Sequence, residues 1–270
     1  MAKKERLDVL LVERGMAETR EKAKRNIMAG LIYSGTERLD KPGMKVDADL
    51  PLRIKGNVLK YVSRGGLKLE KALNVFDFNV EGKVGLDIGA STGGFTDCAL
   101  QQGAAQMYAV DVGYNQLAWK IRQDERVHVM ERMNFRHATP EDFTMGQPHF
   151  ATIDVSFISL RLILAPLFTI LADGGDVCAL IKPQFEAGKG QVGKKGIVRD
   201  PEIHKQVISE IIDFAIQLGF NTMQLDFSPI TGGEGNVEFL LHLRKGETAQ
   251  PITANEIESI VSASQMLKND

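Results

Sequence analysis

From residue 84 onward, short apolar runs recur, and most are followed by apolar positions at helical spacing. Strands are predicted at 84–88, 106–110, 127–130, 150–154, 176–181, 222–227 and 237–243. Helices are predicted at 94–102, 115–123, 159–172, 201–218 and 253–266. Such alternation builds a mostly parallel sheet with helices on both faces. The start of the chain has a different grain. A helix is predicted over 6–14 and a second over 18–28, with Ala23, Ile27 and Met28 on one buried face and Thr19 as its cap. Small strands follow at Ile32-Tyr33-Ser34 and Leu52-Arg53-Ile54, punctuated by Gly35 and by Lys41-Pro42-Gly43. The pattern predicts a small α+β module over 1–59, a linker over 60–66, and an α/β domain over 67–270. That domain opens on a helix at 67–76 with Leu69, Leu73 and Phe76 turned inward.

The 270 residues suffice for a substantial core, and 43% apolar with 25% charged is ordinary for a globular chain. Net charge is −2, which says little about partners, but its distribution says more. Residues 1–64 hold 15 basic against 9 acidic side chains, a balance of +6; the remainder holds 18 against 26, a balance of −8. A basic head on an acidic body is expected to meet a polyanion. Cys98 and Cys178 sit in apolar contexts without metal or disulfide spacing, so reduced thiols and a cytoplasmic setting are expected. The charged start Lys3-Lys4-Glu5-Arg6 does not resemble a signal peptide, and the apolar segment Leu162 to Ala172 is shorter than the roughly 20 residues a bilayer span needs.

Val84 to Asp97 carries the most specific local signal: an apolar strand, then Asp87, a turn of small residues, and a helix. Gly89, Gly93 and Gly94 are expected to let a ligand lie against bare backbone, with Asp87, Ser91 and Phe95 as further cofactor contacts. The spacing departs from the dinucleotide fingerprint G-x-G-x-x-G. Its Asp-x-Gly-x-x-x-Gly-Gly form resembles the S-adenosylmethionine loop of class I methyltransferases. Asp111 closes the next strand, where an acid can hold a ribose diol, and Asn134 follows the third strand, where it could read an adenine edge. Both roles would serve a nicotinamide dinucleotide equally.

Ligands bind beyond the carboxyl ends of strands in open α/β sheets. Asp154 and Lys182 end two further strands, and charge there is costly unless it is paired or used. Glu238 begins the final strand and reaches the same edge if that strand runs antiparallel, while Lys68 could cross over from the preceding helix. In order and context, Lys68, Asp154, Lys182 and Glu238 resemble the tetrad of FtsJ-like ribose 2′-O-methyltransferases. The head resembles an S4 RNA-binding domain through Arg6-Leu7-Asp8, Gly15, Thr19-Arg20, Ala23, Ile27, Gly30 and Gly35. Together with Ser63-Arg64-Gly65-Gly66-Leu67-Lys68-Leu69, Lys182-Pro183-Gln184-Phe185-Glu186 and Gly235-Asn236-Val237-Glu238, the chain resembles the TlyA-type family, also labelled hemolysin. Tyr61 stands where that family is expected to hold tryptophan.

The resemblance implies a class I, Rossmann-like methyltransferase domain: a seven-stranded, mostly parallel sheet whose last strand is antiparallel, behind an S4 domain. It implies S-adenosylmethionine as methyl donor, without a metal, and a ribose 2′-hydroxyl of ribosomal RNA, on cytidine within a ribosomal subunit, as acceptor. Lys182 would act on that hydroxyl as base or as cation, Asp154 would orient it, and Lys68 and Glu238 would place the ribose. RNA contacts are expected from Arg6, Arg20, Lys22, Lys24, Arg25 and Arg64. The rivals are a membrane-active cytolysin, a non-catalytic RNA-binding assembly factor and a nicotinamide oxidoreductase.

Overall fold

The structure is a computed structural model describing residues 4–28, 30–55, 60–188, 190–232, 235–246 and 251–269. The expected domain end at residue 59 lies outside the described residues. Two compact units are present, Met1–Lys60 and Tyr61–Asp270.

The first unit contains β1 (Lys4–Arg6), α1 (Leu7–Glu13), α2 (Arg20–Met28), β2 (Ile32–Ser34), β3 (Glu37–Arg38), β4 (Lys45–Asp47) and β5 (Arg53–Ile54). Leu7, Leu10 and Leu11 of α1 pack with Ala23 and Ile27 of α2 over Ile32, Leu39 and Val46. Thr19 caps α2 as expected, its hydroxyl accepting from the Lys22 N–H at 3.2 Å. Met28 does not join the buried face; it is 65% exposed. Five residues beyond Ala23 it has turned about 140° around the helix, past the apolar stripe. Antiparallel β1 and β4 pair Lys4 with Asp47 and Arg6 with Lys45, a pairing of charged residues that apolar alternation does not reveal.

The second unit contains α3 (Gly65–Val75), β6 (Val84–Ile88), α4 (Gly94–Gln101), β7 (Gln106–Asp111), α5 (Trp119–Arg122), β8 (Val127–Glu131), β9 (Phe150–Ile153), α6 (Arg161–Ile170), β10 (Asp176–Ile181), α7 (Pro183–Glu186), α8 (Pro201–Leu218), β11 (Phe220–Phe227), β12 (Phe239–Lys245) and α9 (Ala254–Ser264). Its sheet has seven strands in the order β11-β12-β10-β9-β6-β7-β8. Only β12 runs against its neighbours, inserted antiparallel between β10 and β11. The central strands are buried on both faces, which is why they read as unbroken apolar runs. Ala151, Ile153, Val177, Ala179, Ile181, Phe239 and Leu241 face α6 and α8, whereas Phe150, Cys178, Leu180 and Leu240 face α3 and α4. Helix α8 has the ends its sequence announces: the Asp200 side chain accepts from the Glu202 N–H, Pro201 follows, and Gly219 closes it at φ 101°.

Two further expectations need correction. The helix expected over 115–123 contracts to Trp119–Arg122, because the chain first makes a loop in which Asn115 takes φ 57°. The segment read as a linker is packed from Tyr61 onward. Tyr61 is 3% exposed among Leu69, Ala72 and Cys98, the Val62 N–H donates to Asp97 at 2.8 Å, and α3 starts at Gly65 rather than residue 67. A buried aromatic and a hydrogen bond to a buried carboxylate fix this stretch, despite its glycines.

Candidate active site

The carboxyl ends of the parallel strands meet at one edge of the second unit. Asp154 follows β9 and Lys182 follows β10. The antiparallel register pairs Ile181 with Phe239, so Glu238 enters this edge one residue ahead of β12, beside Lys182. Helix α3 carries Lys68 across from the side. The four side chains form one linked row. Glu238 Oε2 is 2.7 Å from Lys68 Nζ, which is 3.2 Å from Asp154 Oδ2; Asp154 Oδ1 is 2.5 Å from Lys182 Nζ. Lys182 Nζ also donates to Ser156 Oγ at 3.1 Å.

Lys68 and Lys182 are each 7% exposed and Glu238 is 2% exposed, so these charges are largely removed from water. Two ammonium groups alternate with two carboxylates, which offsets a desolvation cost that no single member could bear. Burial works to neutralise Lys68, but Asp154 and Glu238 outweigh it and hold its pKa above the ordinary lysine value. Burial likewise opposes ionisation of Asp154, yet Lys68 and Lys182 hold its pKa below the ordinary carboxylate value.

This row lines a cavity of about 370 Å³, whose wall includes Ser63, exposed Arg64 and Phe95. A second cavity of about 410 Å³ is lined by Asp111, Val112, Gln116, Met133, Asn134 and Phe135. Gly89, Ser91, Asp154 and Ser156 line both, so the turn after β6 lies between them. Asp111 holds that turn through the Ser91 N–H and its own loop through the Gly113 N–H, each at 2.7 Å. The Asn134 side chain accepts from the Arg136 N–H at 3.3 Å while lining the second cavity.

The glycines of the turn also make room for neighbouring backbone and side chains. A Cβ on Gly89 would lie 2.6 Å from the Asp154 carbonyl oxygen, and one on Gly94 would lie 2.9 Å from the Gly66 backbone nitrogen. Gly93 adopts φ 94° and faces Leu117. These residues clear the way for neighbouring protein, and it is this close packing that shapes the turn. Asp87 is 1% exposed and accepts from the Thr96 N–H at 3.0 Å, the Thr96 hydroxyl at 2.6 Å and the Thr152 hydroxyl at 3.1 Å. It ties β6 to α4 and β9, and burial pushes its pKa up to about 6.

In the first unit, several expected RNA contacts are ion-paired. Arg6 and Arg20 both meet buried Asp8 at 2.9 Å. Lys22 meets Glu18 at 3.0 Å, Lys24 meets Glu21 at 2.8 Å, and Arg25 is exposed on α2.

Sequence reasoning missed three side chains beside the row. Ser156 is a ligand of Lys182. Phe157 is 90% exposed at φ 63° and lies 5.0 Å, centroid to centroid, from Phe185. Glu186 accepts from the Ser159 hydroxyl at 2.6 Å and from the Leu160 N–H at 2.7 Å, joining the loop after β9 to α7. Its motif was visible as Lys182 to Glu186, but the partner loop was not. Among the described residues, no group of three or more potential metal-ligating side chains gathers, and no helix is long and apolar enough to cross a membrane.

Residues 61–245 match the FtsJ-like methyltransferase family and residues 5–50 match the S4 domain. A Bacillus subtilis strain 168 protein named "Putative rRNA methyltransferase YqxC" is 67% identical over 263 residues, covering 96% of this chain and 94% of that one. The 16S/23S rRNA (cytidine-2′-O)-methyltransferase TlyA of Mycobacterium tuberculosis strain H37Rv is 41% identical over 267 residues, covering 97% of each. A solved structure titled "Putative hemolysin from Streptococcus thermophilus" aligns with a TM-score of 0.79 at 56% identity, covering 100% of this chain and 98% of that one. A tetrad poised at the sheet edge and likeness along nearly the whole chain agree: the chain belongs to the FtsJ-like methyltransferase family, with an S4 domain at its head.

Proposed function

We propose that this chain transfers the methyl group of S-adenosylmethionine to a ribose 2′-hydroxyl of ribosomal RNA, on a cytidine within a ribosomal subunit, in the cytoplasm. The observation that carries the reading is the row of Glu238, Lys68, Asp154, Lys182 and Ser156 facing a cavity that adjoins a second, nucleoside-sized one.

The second cavity suits the donor. It offers a carboxylate at the end of β7 for a ribose diol, the Asn134 amide for an adenine edge, and apolar walls from Val112, Met133 and Phe135 for the ring. Ser91 and Gly89 line its passage to the charged row, where the reactive end of the donor would lie. When bound, S-adenosylmethionine supplies a methyl group already activated by its sulfonium.

The chain must therefore align the hydroxyl and manage its proton. Lys68 stays protonated between two carboxylates, which suits it to hold the row together and, with Glu238, to position the ribose. Asp154 stays ionised and points Lys182 toward Ser156 and the cavity. Lys182 is the member suited to steer the 2′-hydroxyl and take up or offset the charge that develops on its oxygen. Alignment of oxygen, carbon and sulfur supplies much of the remaining rate. Phe157, exposed beside Ser156, adds an aromatic wall to the second cavity.

The decisive measurement is transfer of tritiated methyl from the donor onto purified ribosomal subunits lacking the modification, followed by mapping of the ribose. Incorporation at one cytidine 2′-oxygen is expected. Absence of incorporation into either subunit, with donor binding intact, would overturn the reading. Dye leakage from liposomes treated with the pure protein tests the cytolysin alternative, and no leakage is expected.

A further inference from the structure

The S4 domain has a second cationic surface, away from the α2 side chains already considered. Strands β3, β2 and β5 form a small antiparallel sheet with β2 in the middle. Register places Arg38 of β3 opposite Tyr33 and Arg53 of β5 opposite Tyr33, so the three side chains form one row across the sheet. Ile32, the neighbour of Tyr33 along the strand, is fully buried in the domain core together with Leu39. Alternation therefore turns the Tyr33 row to the opposite, outer face. The Arg53 guanidinium lies 5.8 Å from the Tyr33 ring centroid and the Lys55 ammonium lies 5.4 Å from it. Arg53, Lys55 and Arg38 are exposed, and Arg38 lies 3.6 Å from Asp40.

Cations placed on both flanks of one aromatic repel each other across the sheet. Contact with the ring offsets this only weakly for an exposed cation. A core has no use for the arrangement, because the row faces away from it. It has the composition of a single-strand platform: a ring on which a base can stack, with cations at the distance of flanking phosphates. A duplex hides its base faces and could use only the charges.

We propose that the outer face of the β3-β2-β5 sheet, centred on Tyr33 with Arg38, Arg53 and Lys55, is a second RNA-contact surface that takes an unpaired nucleotide of the substrate. The base stacks on Tyr33, and the phosphates on either side lie against the three cations. This rests on the reading of the chain as an RNA methyltransferase, and extends its contact from the backbone of structured RNA to an unpaired segment.

The test uses the full-length protein and a fluorescein-labelled oligouridylate of twelve nucleotides, followed by anisotropy. Tyr33→Ala is expected to weaken binding about ten-fold, and Tyr33→Phe to keep it within about two-fold, because stacking needs the ring and not the hydroxyl. Arg53→Ser with Lys55→Ser is expected to weaken binding and flatten its salt dependence. Duplex RNA of equal length should compete poorly. S-adenosylmethionine affinity, unchanged in every variant, reports that the second unit is intact, and circular dichroism of the variants reports the first. Oligouridylate binding by Tyr33→Ala equal to wild type would overturn the proposal. So would equal competition by duplex RNA, or by polyglutamate, which would mark the face as a plain electrostatic or protein-binding surface. If the wild type methylates no subunit yet Tyr33→Ala loses the oligomer, the enzymatic reading fails and this surface stands.

Discussion

Lys68 and Glu238 are 170 residues apart in the chain, yet their side chains meet at 2.7 Å in the protein interior. The antiparallel entry of β12 brings Glu238 to the edge where the parallel strands end, and α3 brings Lys68 over it. Neither residue could be held there alone, since a buried charge without its partner is strongly destabilising. Lys68→Met should therefore lower stability by about 3–5 kcal/mol. The double variant Lys68→Met with Glu238→Gln should recover part of that loss, because one stranded carboxylate is removed. Urea denaturation of both single variants and the double checks this, and a double-variant loss equal to the sum of the two single losses would mean that the pair is not coupled.

Lys182 is the tetrad member joined to Ser156, a residue that lines both cavities. Lys182→Ala should leave donor binding near wild type while single-turnover methyl transfer falls by about 10²–10⁴. Lys182→Arg should not restore the rate, since a broad planar guanidinium cannot take the place of a compact ammonium wedged between Asp154 and Ser156. Calorimetry with S-adenosylmethionine and rapid-quench methylation separate the two effects. Normal turnover in Lys182→Ala would remove it from the mechanism.

Much of this site was legible because its residues interrupt apolar strands. Asp87, Asp111, Asp154 and Lys182 each mark a strand end, and a charge in that position announces itself against Val, Ile and Leu. What was not legible depends on contacts between loops. Glu186 reaches the loop after β9 through Ser159 and Leu160, and neither end of that contact is unusual in sequence. Phe157 looks like one more core aromatic until its φ of 63° turns it outward. The glycines of the turn were identified, but the groups they make room for, Asp154 and Gly66, are tertiary neighbours. Met28 leaves the expected face because one residue of rotation separates a buried helix face from an exposed one, whereas Ala23 and Ile27, four apart, stay in line.

Glu186 is expected to act by holding Ser156 and Phe157 in place through that loop. Burial raises its pKa above the ordinary glutamate value, and the nearby Arg161 opposes this while Glu210 adds to it. Glu186→Gln keeps one acceptor and should lower kcat about ten-fold or raise the RNA KM by a similar factor, with donor affinity unchanged. Steady-state kinetics with subunit and donor varied separately will show which occurs. Unaltered constants for both substrates would make the Glu186 contact purely structural.

Asp87 gives a pH signature. Its folded pKa of about 6 lies well above that of an ordinary aspartate, so in this range the folded state retains a proton that the unfolded chain has lost. Stability from this group is complete below the unfolded value and declines as pH rises toward 6, by about 3 kcal/mol in total. Asp87→Asn cannot titrate, although it weakens the bonds to Thr96 and Thr152 at every pH. The stability difference between Asn and Asp should thus move in favour of Asn by about 3 kcal/mol between pH 3.5 and pH 6.5. Chemical denaturation across that range measures it, and a difference independent of pH would show that Asp87 is not perturbed.

The cations of α2 call for a variant that separates charge from folding. Arg20 and Arg6 hold buried Asp8, whose pKa these arginines lower to about 2, so removing Arg20 also strands a carboxylate. Lys22, Lys24 and Arg25 have no such burden: the lysines pair with exposed Glu18 and Glu21, contacts worth little in water. Changing Lys22, Lys24 and Arg25 together to serine should leave thermal stability nearly unchanged. It should weaken binding to ribosomal RNA and lower the slope of log affinity against log salt by about two to three, if each cation neutralises one phosphate. Filter binding at several salt concentrations gives both numbers. An unchanged slope would place the phosphate contacts on other side chains, and adding Arg20→Ser would then reveal only the loss of the Asp8 ion pair.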